Sequence, residues 1–222
     1  MASILVVSPH PDDETLGCGG TLLKHTAVGN QVYWLIITKM TQEVGYSEDR
    51  IRARKEEIES IAKSYKFEKT FMLDFATTTL DTIPLRNIIA EVARVVAEVK
   101  PETVYLPNRS DAHSDHRITF AAVFGAIKTF RAPGIKRVLS YEVLSETEFT
   151  APYQSDTFVP NSFSDISSYL EEKIKIMRLY KGELGNPPFP RSEENIRALA
   201  TLRGAIAGVN HAEAFMMIKE IV

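Results

Sequence analysis

The chain has one cysteine, Cys18, so no internal disulfide framework can form, and a lone thiol agrees with a reducing compartment. Long apolar runs are missing too. The longest, such as ILVV and YWLII, fall far short of a bilayer span. Charge of one sign is not in excess: 26 Lys and Arg stand against 29 Asp and Glu, and the basic residues are dispersed. A net charge of −3 gives no electrostatic reason to expect a nucleic-acid partner. Internal repeats, low-complexity tracts and linkers are absent, which leaves residues 1–222 as one domain, long enough for a sizeable core. The opening MASILVVSPHPDD does not read as a signal peptide, because it enters the first core strand at once. These absences together describe a cytoplasmic protein without membrane insertion.

What is present is an alternation. Residues 3–8, 31–38, 69–74, 103–107 and 137–143 are short, nearly continuous apolar runs bounded by polar or breaking residues. That is the pattern of parallel strands covered on both faces. Between and after them, residues 47–64, 84–99, 117–130, 165–180 and 192–208 read as helices. The stripe Leu85, Ile88, Ile89, Val92, Val95, Val96 and Val99 follows helical spacing closely. The order predicts an α/β fold with right-handed crossovers.

Two clusters carry the chemistry. The first strand runs into VVSPHPDDETLGCGG, which places His10, Asp12 and Asp13 at its carboxyl end. The strand at 103–107 runs into NRSDAHSDHR, which supplies Asp111, His113, Asp115 and His116. Ligands of open α/β sheets bind beyond the carboxyl ends of strands, where the strand order reverses. If the two strands are neighbours, the clusters face each other across that crevice. Imidazole with carboxylate suits a divalent transition metal, zinc being the usual occupant. Catalytic zinc keeps three protein ligands and an open position, and His10, Asp13 and His116 would supply the three. Asp12 is then left as general base for the water that such a metal activates, its pKa brought to about 7. The bland alternative is that the Asp pair only caps a helix, where carboxylates are favoured. His25 and His211 read as ordinary solvated histidines.

The glycines of GCGG invite a dinucleotide reading, but Leu22 stands where the third glycine of G-x-G-x-x-G belongs. The second strand also runs into Thr38-Lys39, not an acid. Close helix–sheet packing behind the site is the better use for these glycines.

PHPDDETLGCGGTL together with DAHSDHR resembles the PIG-L/LmbE-like family of zinc-dependent N-deacetylases. RKEEIESIAKSY, TFVPNSFSDISSYLEEK and PRSEENIRALATLRGAIAGVNHAEAF extend the resemblance along nearly the whole chain. It implies a Rossmann-like three-layer sandwich with a mostly parallel central sheet. It implies His10, Asp13 and His116 as ligands of Zn2+ (or another divalent transition metal) and Asp12 as general base. His113 would serve as electrophile or general acid at the substrate carbonyl, oriented and charged by Asp115. Arg54 stands where family members turn a basic side chain towards substrate, with Arg50, Arg52 and Arg109 as rivals; Arg54 and Arg109 are the candidate substrate-binding residues. Homo-oligomers, trimers or hexamers, are a further implication.

Two departures stand out: LYKGEL (179–184) where many members carry a Ser-Gln pair, and His211 where a tyrosine is more usual. Both bear on the substrate, not on the reaction class. The expected activity is therefore removal of an acetyl group from an N-acetylated amino sugar or sugar conjugate. The rivals are an amidase or deacylase acting on another N-acyl conjugate or antibiotic intermediate, and a non-catalytic zinc- or sugar-binding protein.

Overall fold

The computed structural model describes residues 1–222, in which a seven-stranded sheet lies between two layers of helices. The strands are β1 (Ser3–Ser8), β2 (Gln31–Lys39), β3 (Lys69–Ala76), β4 (Thr103–Pro107), β5 (Arg137–Tyr141), β6 (Ser162–Asp165) and β7 (Ala212–Glu220). The helices are α1 (Asp13–Ala27), α2 (Glu48–Tyr65), α3 (Leu85–Val99), α4 (Ser114–Ala126), α5 (Leu170–Met177) and α6 (Glu193–Ala207). Strand order is β3-β2-β1-β4-β5-β7-β6. The first five strands pair in parallel, and β7 runs antiparallel to both of its neighbours.

Alternation along β1 divides the core in two. Ile4 and Val6 face α1, α2, α5 and α6, with Leu22, Ile61, Ile174 and Ile196 among their neighbours in that cluster. Leu5 and Val7 face the opposite layer, where Ile88, Val92, Val95 and Val96 of α3 and Val123 of α4 pack. Each such fully buried side chain contributes about 1.5–3 kcal/mol relative to exposure. The helical stripe read at 84–99 is thus the buried face of α3.

β1 and β4 are neighbours, with Ile4 opposite Thr103 and Val6 opposite Tyr105. The chain leaves β1 towards β2 on one side and reaches β4 on the other, so strand order reverses there. The crevice beyond their carboxyl ends is where both clusters emerge.

Three features differ from the sequence expectation. The stretch after residue 208 forms a nine-residue strand, β7. Its Ala, Glu and Met residues favour helix in isolation, and pairing with β5 and β6 overrides that preference. β6 is a four-residue partner whose serines carry no strand signal of their own. α4 starts at Ser114, three residues before the expected 117, because His113 caps it.

Candidate active site and metal centre

The first cluster is shaped by a tight exit from β1. The Pro9 carbonyl accepts hydrogen bonds from the Thr38 amide at 3.0 Å and its hydroxyl at 2.8 Å, which ties the exit to β2. Asp12 then adopts φ 140° and ψ −28°, a conformation costly for any residue with a Cβ. Its carbonyl accepts from the Thr15 and Leu16 amides at 3.0 and 2.9 Å, and α1 begins. The Asp12 carboxylate makes no capping hydrogen bond. The reading of the Asp pair as a simple helix cap therefore fails for Asp12. At Gly17, the Cβ of any other residue would lie 2.2 Å from the Tyr141 ring on β5, so this glycine lets α1 lie close against the sheet.

Asp13 Oδ2 is the meeting point. It accepts from the His10 amide at 2.8 Å and lies 3.4 Å from His10 Nδ1 and 3.3 Å from His116 Nε2. The outer nitrogen of each imidazole is held by a second carboxylate: His10 Nε2 by Asp115 Oδ2 at 3.0 Å, His116 Nδ1 by Asp111 Oδ2 at 2.8 Å. Thr147 donates to the other Asp111 oxygen at 2.7 Å. A carboxylate on the outer nitrogen keeps a proton there and turns the inner lone pair towards Asp13, which is how metal-binding histidines are oriented. One ligand atom from each of His10, Asp13 and His116 lies within 4.8 Å of the others. This donor set fits a divalent transition metal.

The electrostatics describe a cluster built for positive charge. Burial alone would depress His10, but hydrogen bonds to Asp115 and Asp13 override it and raise the pKa to about 9. His116 is raised likewise against its burial by Asp13 and Asp111, and Asp13 is held well below the usual carboxylate range by the two imidazoles. Asp12 is pushed the other way, by burial first and then by the charges of Asp13 and Glu183. Two adjacent aspartates thus diverge: one anchors cations, the other takes up a proton readily.

Asp12 and His113 border one cavity of about 230 Å³, whose walls also include Tyr46, Arg54, Thr78, Glu146, Glu183 and Arg191. The His113 ring lies edge-on to that of His10, with centroids 4.6 Å apart. Its Nδ1 accepts from the Asp115 amide at 3.0 Å, so the proton of the neutral ring sits on Nε2. Burial, followed by the charges of His10 and His116, lowers its pKa to about 4.

Here the structure corrects an expectation. The Asp115 carboxylate comes within 4.8 Å of a His113 ring nitrogen but makes no hydrogen bond to it. One oxygen takes His10 Nε2 and the Thr78 amide, at 3.0 and 2.7 Å, and the other takes the Leu80 amide at 3.2 Å. The one hydrogen bond between Asp115 and His113 runs from the Asp115 amide to His113 Nδ1, which leaves Nε2 as the ring's remaining polar atom.

The arginines separate as well. Arg54 is buried against the site, donating to the Pro11 carbonyl at 2.9 Å and to Glu183, with its guanidinium 5.4 Å over the Tyr180 ring. Arg109 points away from the cavity: it is half-exposed, donates to the Ser155 carbonyl and lines a different cleft. The basic residue that sequence reasoning missed is Arg191. It bridges Glu183 and the Ser145 hydroxyl, the latter at 2.7 Å, from the loop after the proline-rich NPPFP. Glu183, which meets both Arg54 and Arg191, lies in the divergent LYKGEL segment.

Comparison with known proteins adds descent to this geometry. The chain is 28% identical to the diacetylchitobiose deacetylase of Thermococcus kodakarensis, over 98% of this chain and 84% of that one. It is 27% identical to the 2'-N-acetylparomamine deacetylase of Streptomyces fradiae, over 94% and 84%. The crystal structure of the conserved protein TT1542 from Thermus thermophilus superimposes with a TM-score of 0.80 at 24% identity, over all of this chain and 97% of that one, which establishes the shared fold. The model of the PIG-L family, GlcNAc-PI de-N-acetylase, matches residues 5–127, a stretch that contains both histidine–aspartate clusters. This protein belongs to the PIG-L family of de-N-acetylases.

Proposed function

We propose that the protein hydrolyses the acetamide of an N-acetylated amino sugar in a metal-dependent reaction. The observation that carries this reading is the convergence of His10, Asp13 and His116 on one point beside Asp12 and His113, within a single polar cavity. His10, Asp13 and His116 would hold a divalent transition metal, with zinc the expected ion. Such an ion supplies Lewis acidity towards the carbonyl oxygen and makes water acidic enough to be deprotonated near neutral pH.

The remaining work falls to the chain's own groups. The Asp12 carboxylate takes the proton of the attacking water. Its burial-raised affinity then lets it hold that proton and return it to the leaving nitrogen. His113 donates its Nε2–H to the carbonyl oxygen as negative charge gathers there, an interaction strongest after attack. Asp111 and Asp115 keep the two metal-facing imidazoles in the required tautomer. No nucleophilic serine or cysteine is needed, and Cys18 is fully buried away from the cavity with its thiol pKa raised by burial.

The walls bear on the substrate. A cavity of about 230 Å³ edged by Tyr46, Glu183, Arg191, Thr78 and Glu146 suits a small hydroxylated ring better than a long acyl chain. The two deacetylases named above act on N-acetylated amino sugars, which supports the same class here. A mass-spectrometric screen of N-acetylated sugars with the zinc-loaded protein tests this. Release of acetate from at least one 2-acetamido sugar is expected. Failure on all of them, with success on another amide, would move the substrate to a different N-acyl conjugate.

A further inference from the structure

The first turn of α1 contains a fully buried acid, Glu14, that the mechanism does not use and that no lysine or arginine pairs. An acid so placed is costly unless its oxygens are occupied by hydrogen-bond donors. Here each is. Glu14 Oε2 accepts the amide of Asp12 at 3.1 Å, and Oε1 accepts the hydroxyls of Thr15 and Tyr180, both at 2.5 Å. Tyr65 in turn donates to the Thr15 hydroxyl at 3.0 Å. The arrangement is one half of a capping box: a side chain in the first helical turn reaches back to the amide of the residue at the cap, while the cap's own side chain makes no return bond.

That residue is Asp12, with φ 140°. A non-glycine backbone persists in such a conformation only where its surroundings over-determine it. The Asp12 carbonyl is held by the amides of the helix, and its N–H is held by Glu14 alone. Tyr180 completes the chain from the divergent LYKGEL segment, with its hydroxyl on Glu14 and its ring face under Arg54.

We propose that Glu14 and Tyr180 are positioning residues for the hydrolysis: the chain from the Tyr180 hydroxyl through the Glu14 carboxylate to the Asp12 amide holds Asp12 in the backbone conformation that turns its carboxylate into the cavity. The inference rests on the reading of Asp12 as general base. It gives the LYKGEL segment a role in aiming the base, in addition to the wall it forms through Glu183.

Tyr180→Phe tests it with little change of shape. The zinc-loaded variant should lose about tenfold in kcat, the loss expected when a hydrogen bond to a buried carboxylate is removed, with KM within about twofold. Zinc affinity, measured by competition with a chelating dye, should match the wild type. A crystal structure of the variant should show Asp12 displaced from its left-handed φ. Glu14→Leu, with no acceptor for the Asp12 amide, should lose about 100-fold in kcat, and Glu14→Gln, which keeps one, should recover most of it. An unchanged kcat in Tyr180→Phe, a loss that tracks weakened zinc binding, or an Asp12 backbone that stays in place would each overturn the inference. Should Glu14→Leu fail to fold, Tyr180→Phe decides alone. If the wild type hydrolyses no acetamido sugar, the functional reading fails, and the position of Asp12 in the Tyr180→Phe crystal still decides the positioning role.

Discussion

Asp12 and Asp13 are chemically identical neighbours, and the backbone at Asp12 sends their carboxylates into different surroundings. Asp13 is drawn into a triangle with His10 and His116, and burial raises the proton affinity of Asp12 at the cavity edge. Asp12→Asn should therefore keep its zinc, as read by metal analysis, and lose at least about 100-fold in kcat. A variant that instead loses zinc, with activity restored by excess metal, would show the two aspartates assigned in reverse. That His10, Asp13 and His116 come together was legible in the sequence because both motifs follow directly on strands of one parallel sheet. The partner of Asp115 was not. Which way a side chain points from the first turn of a helix depends on what packs above it, and the Thr78 and Leu80 amides come from elsewhere in the chain. Arg191 escaped notice for the same reason, since a loop distant in sequence carries it to the cavity.

Among the elements, α1 shows most clearly what local pattern cannot reveal. It is interrupted at Cys18, with φ −144° and ψ 19°. The Leu16 carbonyl just before the break accepts from Lys173 Nζ at 2.8 Å, and the Gly20 and Thr21 amides after it donate to Glu213, each at 2.8 Å. Lys173 and Glu213 are themselves paired at 2.8 Å, both buried. A lysine from α5 and a glutamate from β7 thus cap two halves of one helix, in keeping with the sign of each end of the helix dipole. Further along, His25 Nδ1 accepts from the Asn30 side-chain amide at 3.1 Å, and its Nε2 meets the Tyr105 hydroxyl at 2.9 Å. Sequence reasoning takes it for a solvated residue, yet burial, aided by the charges of Lys24 and Arg137, lowers its pKa from 6.5 to about 4. The folded state keeps His25 neutral where the unfolded chain would protonate it, so its contribution is full above pH 6.5 and is lost as pH falls towards 4. Urea unfolding of His25→Gln should accordingly show a shallower loss of stability between pH 7 and pH 4.5 than the wild type. Parallel curves for the two proteins would contradict this.

At the scale of the whole molecule, the alternation of short apolar runs with helical stripes was enough to read the parallel core of the sheet and its two covered faces. The antiparallel edge was not legible, because β6 and β7 are strands by virtue of their partners more than their composition. No helix of the molecule is long and apolar enough to cross a membrane. What places the two motifs together is the sheet order itself: β1 and β4 are adjacent, the chain reverses between them, and the loops that follow each strand meet above the reversal. Residues separated by about a hundred positions thereby converge on one point. The most direct measurement is a zinc titration of chelator-stripped protein, with acetate release from an active substrate as the readout. Activity should rise from zero to a plateau at one zinc per chain in the wild type and stay absent in His116→Ala. Turnover that survives complete metal removal, or a trapped acyl-enzyme, would contradict the account.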